Sequence, residues 1–536
     1  MNTYNTGENY TINKFNLHNK RLFSKIKKNR KKIFLIEFNG WPVFHIIFSY
    51  LVNYFKNEKR CKIVAYECFV LLNRIEPSWY KKCFWKIGSI LNLKTFKIFK
   101  SFGTDQFIKP YFSEKIIFEA SKITKAFISK KPQLKDLENL KIKGVWIGDL
   151  IYDSYLKKNS LSTIEINSNN FIKFFRDSIK LYLFWEEFFK KNDIEAICVC
   201  HAVYLTGIPL RIANNKNVSC FSMSNMNLVN LTKSISYKNK INGSNIQFKH
   251  YKKIFNKFPK KLQKKYLIKG KKILNDFTSG EKKYFYLKNT TFNKKIVKNK
   301  KNKNSKIKVA IFSHNFTDSP HVYGNHFFTD FKQWFKFLDK IIKQTNYEWF
   351  IKDHPSFNYV TKKEIYSLIR NNKNLKLISK NFPNNQLAKL GIKFVLTIYG
   401  SVASELSPFG IKVINASKNN PHFDYNFCIN PQNLNQYKRI LLNLRKIKNK
   451  FKIDELYSFH FMKNLAFKCN FFFKKTDKYF KFINGKQLQF TYKTYEYWLN
   501  DFNLEMHNDI VKNVKKFITS KNYLFIENKD EFINKN

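Results

Sequence analysis

Apolar positions along this chain fall into two rhythms, short unbroken runs and longer stretches that repeat near the helical period. The run Lys32-Ile33-Phe34-Leu35-Ile36-Glu37-Phe38, closed by Asn39-Gly40, predicts a buried strand and a turn. A helix-like stretch over 42–55 follows, and Lys62-Ile63-Val64-Ala65-Tyr66 predicts a second strand. That β-α-β opening is the unit of a parallel sheet with right-handed crossovers. The rhythm returns as an amphipathic helix over 171–190, a strand over 195–200, a helix over 201–214 and a strand at Val218-Ser219-Cys220-Phe221.

Between 239 and 308 the pattern weakens into Lys- and Asn-rich sequence ending in Lys298-Asn299-Lys300-Lys301-Asn302-Lys303-Asn304, which predicts a solvated linker. Ile307-Lys308-Val309-Ala310-Ile311-Phe312-Ser313 then restarts the alternation. Helices are predicted over 326–344, 362–371, 385–390 and 401–409, and strands over 348–352, 375–378, 394–397 and 412–414. Alternation at this spacing suits doubly wound sheets. The expected fold class is therefore α/β, two Rossmann-like doubly wound lobes facing a cleft, with a helical C-terminal tail able to pack back across the first lobe. The expected boundaries are a polar leader at 1–30, a first lobe at 31–230, a basic connecting region at 231–306, a second lobe at 307–432 and a helical region at 433–536.

Composition sharpens this picture. The 536 residues suffice for two large domains, and 43% hydrophobic with 18% aromatic residues argues against wholesale disorder. The formal charge of +61 would attract nucleic acid, anionic lipid or phosphorylated substrates. Much of that excess is Lys accompanied by Asn, Ile, Phe and Tyr, residues that A/T-rich codons favour. Its most basic run lacks Arg and interleaved aromatics, so no nucleic-acid partner is expected, whereas an anionic membrane surface suits the field. Eight Cys without a CxxC pair read as reduced core residues. Cys198 and Cys200 share one strand face but lack two further ligands, so no metal is expected. With no long apolar run and no apolar leader segment, the expected location is the cytoplasm, with peripheral contact at the inner face of the cell membrane.

Ligands of doubly wound sheets sit beyond the carboxyl ends of the strands, where lobe two carries three polar segments. The first, Ser313-His314-Asn315-Phe316-Thr317-Asp318-Ser319-Pro320-His321, offers two His, Asp318 and Ser319 to phosphate or sugar hydroxyls; a capped, solvated turn uses the same residue types. The second, Lys352-Asp353-His354-Pro355, sets a His beside a Lys at a strand end, as an ordinary turn also does. In the third, Thr397-Ile398-Tyr399-Gly400-Ser401 runs through a Gly into a helix whose first amides suit a phosphate. Ser401 could be an N-cap, but Glu405 lies one residue past the capping-box position and suits ribose hydroxyls.

The succession of His354-Pro355 and Thr397-Ile398-Tyr399-Gly400-Ser401-Val402, then Glu405, Gly410 and Val413-Ile414, resembles bacterial surface-polysaccharide glycosyltransferases of the GT-B type, capsule biosynthesis proteins in particular. Kdo and sialyl transferases share a comparable His-Pro and Ser. The likeness spans 307–415 and implies a GT-B-like fold, a nucleotide-sugar donor as substrate and no cofactor. It also implies that His354 and Ser401 contact the nucleotide phosphate and Glu405 the ribose. Residue reading and resemblance together give a donor-binding set of His314, Asp318, Ser319, His321, Lys352, His354, Tyr399, Gly400, Ser401 and Glu405. Gly400-Ser401 lacks the second adjacent Ser of the sialyl enzymes, so a CMP-linked donor does not follow. The stretch is also similar to the corresponding part of UDP-GlcNAc 2-epimerases.

In lobe one, Trp146-Ile147-Gly148-Asp149-Leu150-Ile151-Tyr152-Asp153-Ser154-Tyr155 resembles a segment of the same capsule group. Asp149 and Asp153, four apart, share a face if helical and suit acceptor hydroxyls, or simply an acidic helix start. His201, after the strand over 195–200, and Glu37, at the end of the first strand, are candidate general bases; with His354 they form the catalytic set. His201 reads equally well as a core or turn histidine. The expected activity is transfer of a sugar from a nucleotide-sugar donor to a glycan or lipid-linked glycan of capsule or lipopolysaccharide. A nucleotide-sugar epimerase, or a nonenzymatic basic protein bound to membrane or nucleic acid, are the alternatives.

Overall fold

The computed structural model describes residues 6–23, 31–67, 79–224, 227–241, 248–281, 292, 306–324, 326–354, 358–447, 451–468, 488–520 and 522–524. In chain order the strands of these residues are β1 (Ile33–Phe38), β2 (Lys62–Glu67), β3 (Gln106–Ile108), β4 (Lys141–Ile142), β5 (Val145–Trp146), β6 (Ile194–Val199), β7 (Ser219–Ser224), β8 (Asn227–Asn230), β9 (Lys308–Phe312), β10 (Glu348–Lys352), β11 (Leu375–Ile378), β12 (Ile392–Thr397) and β13 (Lys412–Asn415). The first sheet has the order β3-β2-β1-β6-β7-β8 and is parallel up to the antiparallel β7–β8 pair. The second, β11-β10-β9-β12-β13, is parallel throughout. Each starts in the middle, grows to one edge, then crosses back, so each is Rossmann-like with one topological switch point, between β1 and β6 and between β9 and β12.

Strand periodicity distributes the core. In β1, Phe34 and Ile36 face one way, into a cluster with Val43 and Phe48, while Ile33 and Leu35 face the other. In β9, Val309 and Ile311 join Trp334 and Leu338, whereas Ala310 and Phe312 point back toward the first lobe. Leu35, Val64, Ala310 and Val395 consequently belong to a single apolar cluster that runs from one sheet to the other. The helices Lys260–Thr278 and Ile453–Lys468 contribute Tyr266, Leu274, Phe459 and Met462 to it. These two helices approach so closely that a Cβ on Gly270 would lie 2.0 Å from the Tyr457 carbonyl oxygen.

Several sequence expectations change. The polar leader contains a helix, Thr6–Leu22, with Ile12 and Phe15 buried and the Phe15 ring stacked on Tyr495 at 4.3 Å. Few apolar residues at helical spacing were enough, because the partner surface comes from the chain's other end. The helices Lys493–Asp501 and Leu504–Ser520 lie on lobe one, where Trp498, Ile510 and Phe517 share a core with Phe34 and Val43. Among the described residues of the connecting region are the helices Phe248–Asn256 and Lys260–Thr278, and the Lys298–Asn304 run lies outside the described residues. The helix expected from 326 begins at Phe331, where the Asp330 carboxylate caps it by accepting from the Gln333 amide at 2.8 Å. The helix over 201–214 shortens to Ile208–Asn215 behind a 3₁₀ turn. No helix among the described residues is long and apolar enough to cross a membrane.

Candidate active site

The carboxyl ends of the two sheets face each other. Tyr204, just beyond β6, donates its hydroxyl to Asp318 Oδ1, just beyond β9, at 2.6 Å. Tyr204 (φ 58°) and Ser319 (φ 43°) both hold left-handed backbone conformations beside this contact. Such positions persist where surrounding structure over-determines them.

At the lobe-two switch point, His314 ties the end of β9 to the end of β12. Its Nε2 lies 3.0 Å from Thr397 Oγ1 and accepts the Ile398 amide proton at 3.2 Å. An amide can only donate, so Nε2 is unprotonated and Nδ1 carries the proton. Burial lowers the His314 pKa to about 3, and the nearby His354 adds to the effect. Thr397 Oγ1 also accepts from the Gly400 amide at 3.1 Å, which tightens the turn. Tyr399 packs on His314 at 4.7 Å between ring centroids and donates its hydroxyl to the Ser319 carbonyl at 3.2 Å. Ser401 follows, exposed, in helical conformation and making no capping hydrogen bond. His354 is half-buried at the end of the neighbouring β10, its amide held by its neighbour Asp353 at 2.7 Å; Pro355 lies outside the described residues.

This edge differs from expectation in three respects. The helix after Gly400 spans only Val402–Glu405, and the amides of Ala403 and Ser404 are already bonded to Gly400 and Ser401 carbonyls, so it is not a row of free donors. Glu405 is buried, and its charge acts on Lys352 and Lys463 instead of facing ribose. Lys352 is buried as well, and its ammonium donates to the Phe382 carbonyl and Asn384 Oδ1. Burial, opposed by Glu405, brings the Lys352 pKa down to about 8.

At the lobe-one switch point, Glu37 is buried and accepts the Cys200 amide at 2.9 Å, pinning β1 to the end of β6. That corrects its assignment as a base, because the carboxylate is engaged inside the sheet. Asn39 donates to Cys200 Sγ at 3.1 Å and accepts the Trp41 amide at 2.9 Å. The Trp41 indole therefore sits against His201, at 5.4 Å, and Phe490, at 5.2 Å. His201 is exposed on this aromatic ledge.

Asp149, Asp153 and His321 are not ligand-facing. All three are buried where the helix Gly148–Asn159 meets lobe two. Asp149 pairs with Arg211 at 2.6 Å, and Asp153 accepts from His321 Nδ1 at 2.6 Å and from the His321 amide at 3.1 Å. Burial alone would lower the His321 pKa, but Asp153 and then Glu138, 3.8 Å away, outweigh it and raise it to about 9. A Cβ on Gly148 would fall 1.9 Å from the Leu137 carbonyl oxygen, so only glycine lets this helix start so deep. Beside it, Asp330 accepts hydroxyls from Tyr152 and Thr163, each at 2.6 Å, and Ser162 donates to Glu364 at 2.6 Å.

Sequence reading missed Glu138, Tyr152, Arg211 and Asp330, whose only signal was polarity inside apolar segments. It singled out the correct segments for the interface but gave them to substrates. Six of the described residues are free cysteines, and none of their groups of His, Cys, Asp and Glu could hold a metal ion.

No known family profile and no curated protein matches the chain. Among solved structures, KpsC of Thermosulfurimonas dismutans, a beta Kdo 2,4 transferase, aligns at 10% identity and TM-score 0.31, over 50% of this chain and 79% of its own. The UDP-GlcNAc 2-epimerase of Methanocaldococcus jannaschii aligns at 11% identity and TM-score 0.24, over 81% and 99%. TcCGT1 in complex with UDP aligns at 10% identity and TM-score 0.19, over 92% and 100%. Likeness this distant carries no argument about activity, which has to be read from this chain's own geometry.

Proposed function

We propose that the chain is a glycosyltransferase that moves a sugar from a nucleotide-sugar donor, held at the lobe-two switch point, to a surface-polysaccharide acceptor of the capsule or lipopolysaccharide kind, received at the lobe-one switch point. One observation carries the reading: two Rossmann-like sheets turn their switch points toward each other across the Tyr204–Asp318 contact. One presents a tight polar turn and the other an aromatic ledge with an exposed imidazole. His354 and the Ser401 hydroxyl would donate to the donor phosphates, with Tyr399-Gly400 allowing close approach. The Trp41 face suits an acceptor sugar ring, and His201 would take the proton from the attacking hydroxyl. That oxygen bonds to the anomeric carbon as the bond to phosphate breaks, and His354 stabilises the charge that collects on the departing nucleotide.

The test is a panel of nucleotide sugars incubated with the full chain, with and without glycan acceptors, followed by mass spectrometry of nucleotide and sugar products. Acceptor-dependent nucleotide release with a new glycan supports the proposal. Interconversion of the sugar without acceptor would make the chain an epimerase. Neither reaction, together with salt-sensitive binding of polyanions, would make it a nonenzymatic basic protein.

A further inference from the structure

The helix Trp79–Ile90 turns back through Leu91–Leu93 into the helix Lys94–Ser101. The turn is compact: the amides of Leu91 and Leu93 bond to the carbonyls of Ile87 and Gly88, and Asn92 takes a left-handed conformation with φ 55°. Its base is anchored, since Phe38 at the end of β1 packs on Trp85 at 4.9 Å and on Phe96 at 4.7 Å. Its tip is not covered. Ile87, Ile90, Leu91 and Leu93 are exposed, the middle two at 63% and 64%, whereas exposed apolar side chains elsewhere in the described residues come singly or in pairs along the chain.

A second element enlarges this tip. The helix Thr6–Leu22 lies beside Lys94–Ser101, joined by Lys94 to Glu8 at 2.7 Å and Lys97 to Asn13 at 2.9 Å. Tyr10 and Leu17 share the helix face of Asn13 and are exposed too. Charge accompanies them. Trp79 to Ser101 contains six Lys and no acidic residue, and Lys86, Lys97 and Lys100 are exposed around the aliphatic tip. Aliphatic side chains set among lysines that far outnumber the acidic residues match the boundary of an anionic bilayer, where acyl chains take the former and headgroups the latter. A second copy of the chain would bring the same lysines against each other.

We infer that this helical hairpin is a membrane-docking surface for anionic lipid, inserting Ile90 and Leu91 between headgroups that its lysines bind. Its base on Phe38 puts the docked surface beside the lobe-one switch point. If the transferase reading holds, a lipid-linked acceptor would therefore reach Trp41 and His201 from the bilayer.

The experiment is co-sedimentation of the full chain with vesicles of phosphatidylcholine alone or with phosphatidylglycerol. Binding is expected to the anionic vesicles, to weaken about tenfold with Ile90→Ser/Leu91→Ser, and to weaken about tenfold with Lys86→Glu/Lys97→Glu, most at low salt. All four positions are exposed, and circular dichroism verifies each fold. In Leu91→Trp, the added fluorescence should be quenched by brominated phosphatidylglycerol vesicles. No sedimentation with anionic vesicles, wild-type binding by both double variants, or an unquenched Trp at 91 overturns the inference. So does a concentration-dependent dimer that Ile90→Ser/Leu91→Ser dissolves. Because no sugar transfer is read, failure here leaves the transferase proposal standing, and failure of transfer leaves docking standing.

Discussion

At the lobe-two switch point a buried neutral imidazole, His314, organises small polar residues, and Ser401 is left exposed without a side-chain capping bond. At the lobe-one switch point a buried carboxylate, Glu37, organises the strand ends, and His201 and Phe490 are left exposed on either side of a half-buried Trp41. The two sheets share the order of five parallel strands, the first adding antiparallel β8, but place different buried polar groups at their switch points. A neutral His stapling two strands costs little desolvation and leaves a tight turn that phosphate oxygens can approach. Trp41 and Phe490 give a broad face that suits a sugar ring. The same order of five parallel strands therefore supports unlike chemistry, because different residues follow the strand ends.

The comparison breaks most readily at His201. If it is the base, His201→Ala should lower kcat ~10²–10⁴-fold, with donor binding unchanged by calorimetry. Unchanged kcat would leave the lobe-one ledge as a binding surface only. Between the lobes, Asp153→Ala strands a buried imidazolium and should destabilise the protein by ~3–5 kcal/mol in urea unfolding. His354→Ala should lose ~2–4 kcal/mol of transition-state stabilisation, read as a few-hundredfold drop in kcat at intact fold.

Stability against pH sharpens the same contrast. His321, raised from 6.5 to about 9, stabilises fully below pH 6.5 and loses that contribution as pH rises through 9. His314 and His460, lowered to about 3, and His45, lowered to about 4, act oppositely, their contribution being present above pH 6.5 and lost as pH falls toward those values. The urea midpoint should therefore decline on both sides, and His321→Gln should flatten the alkaline side alone. The smallest effect belongs to Ser401→Ala, about 1 kcal/mol, seen as a several-fold rise in donor KM with kcat nearly unchanged.

The strand runs made the architecture legible, because a buried parallel strand needs an unbroken apolar sequence whatever lies beside it. Ile33–Phe38, Lys308–Phe312 and Ile392–Thr397 appear close to where they were expected. Rossmann order then placed His201, His314, His354 and Ser401 at carboxyl ends, without saying which were exposed. Elements whose partners are distant in sequence were not legible. The helix Thr6–Leu22 depends on Tyr495, and the helix Lys260–Thr278 on Tyr457, so local polarity misread both. Sequence likewise determined that Asp153, His321, Lys352 and Glu405 were unusual, since charged residues inside apolar segments always need a partner. Whether that partner is a substrate or another side chain depends on what the fold brings within about 3 Å. Only the tertiary structure decided that, by closing Asp153 on His321 across the lobes, leaving Ser401 and His201 at the surface.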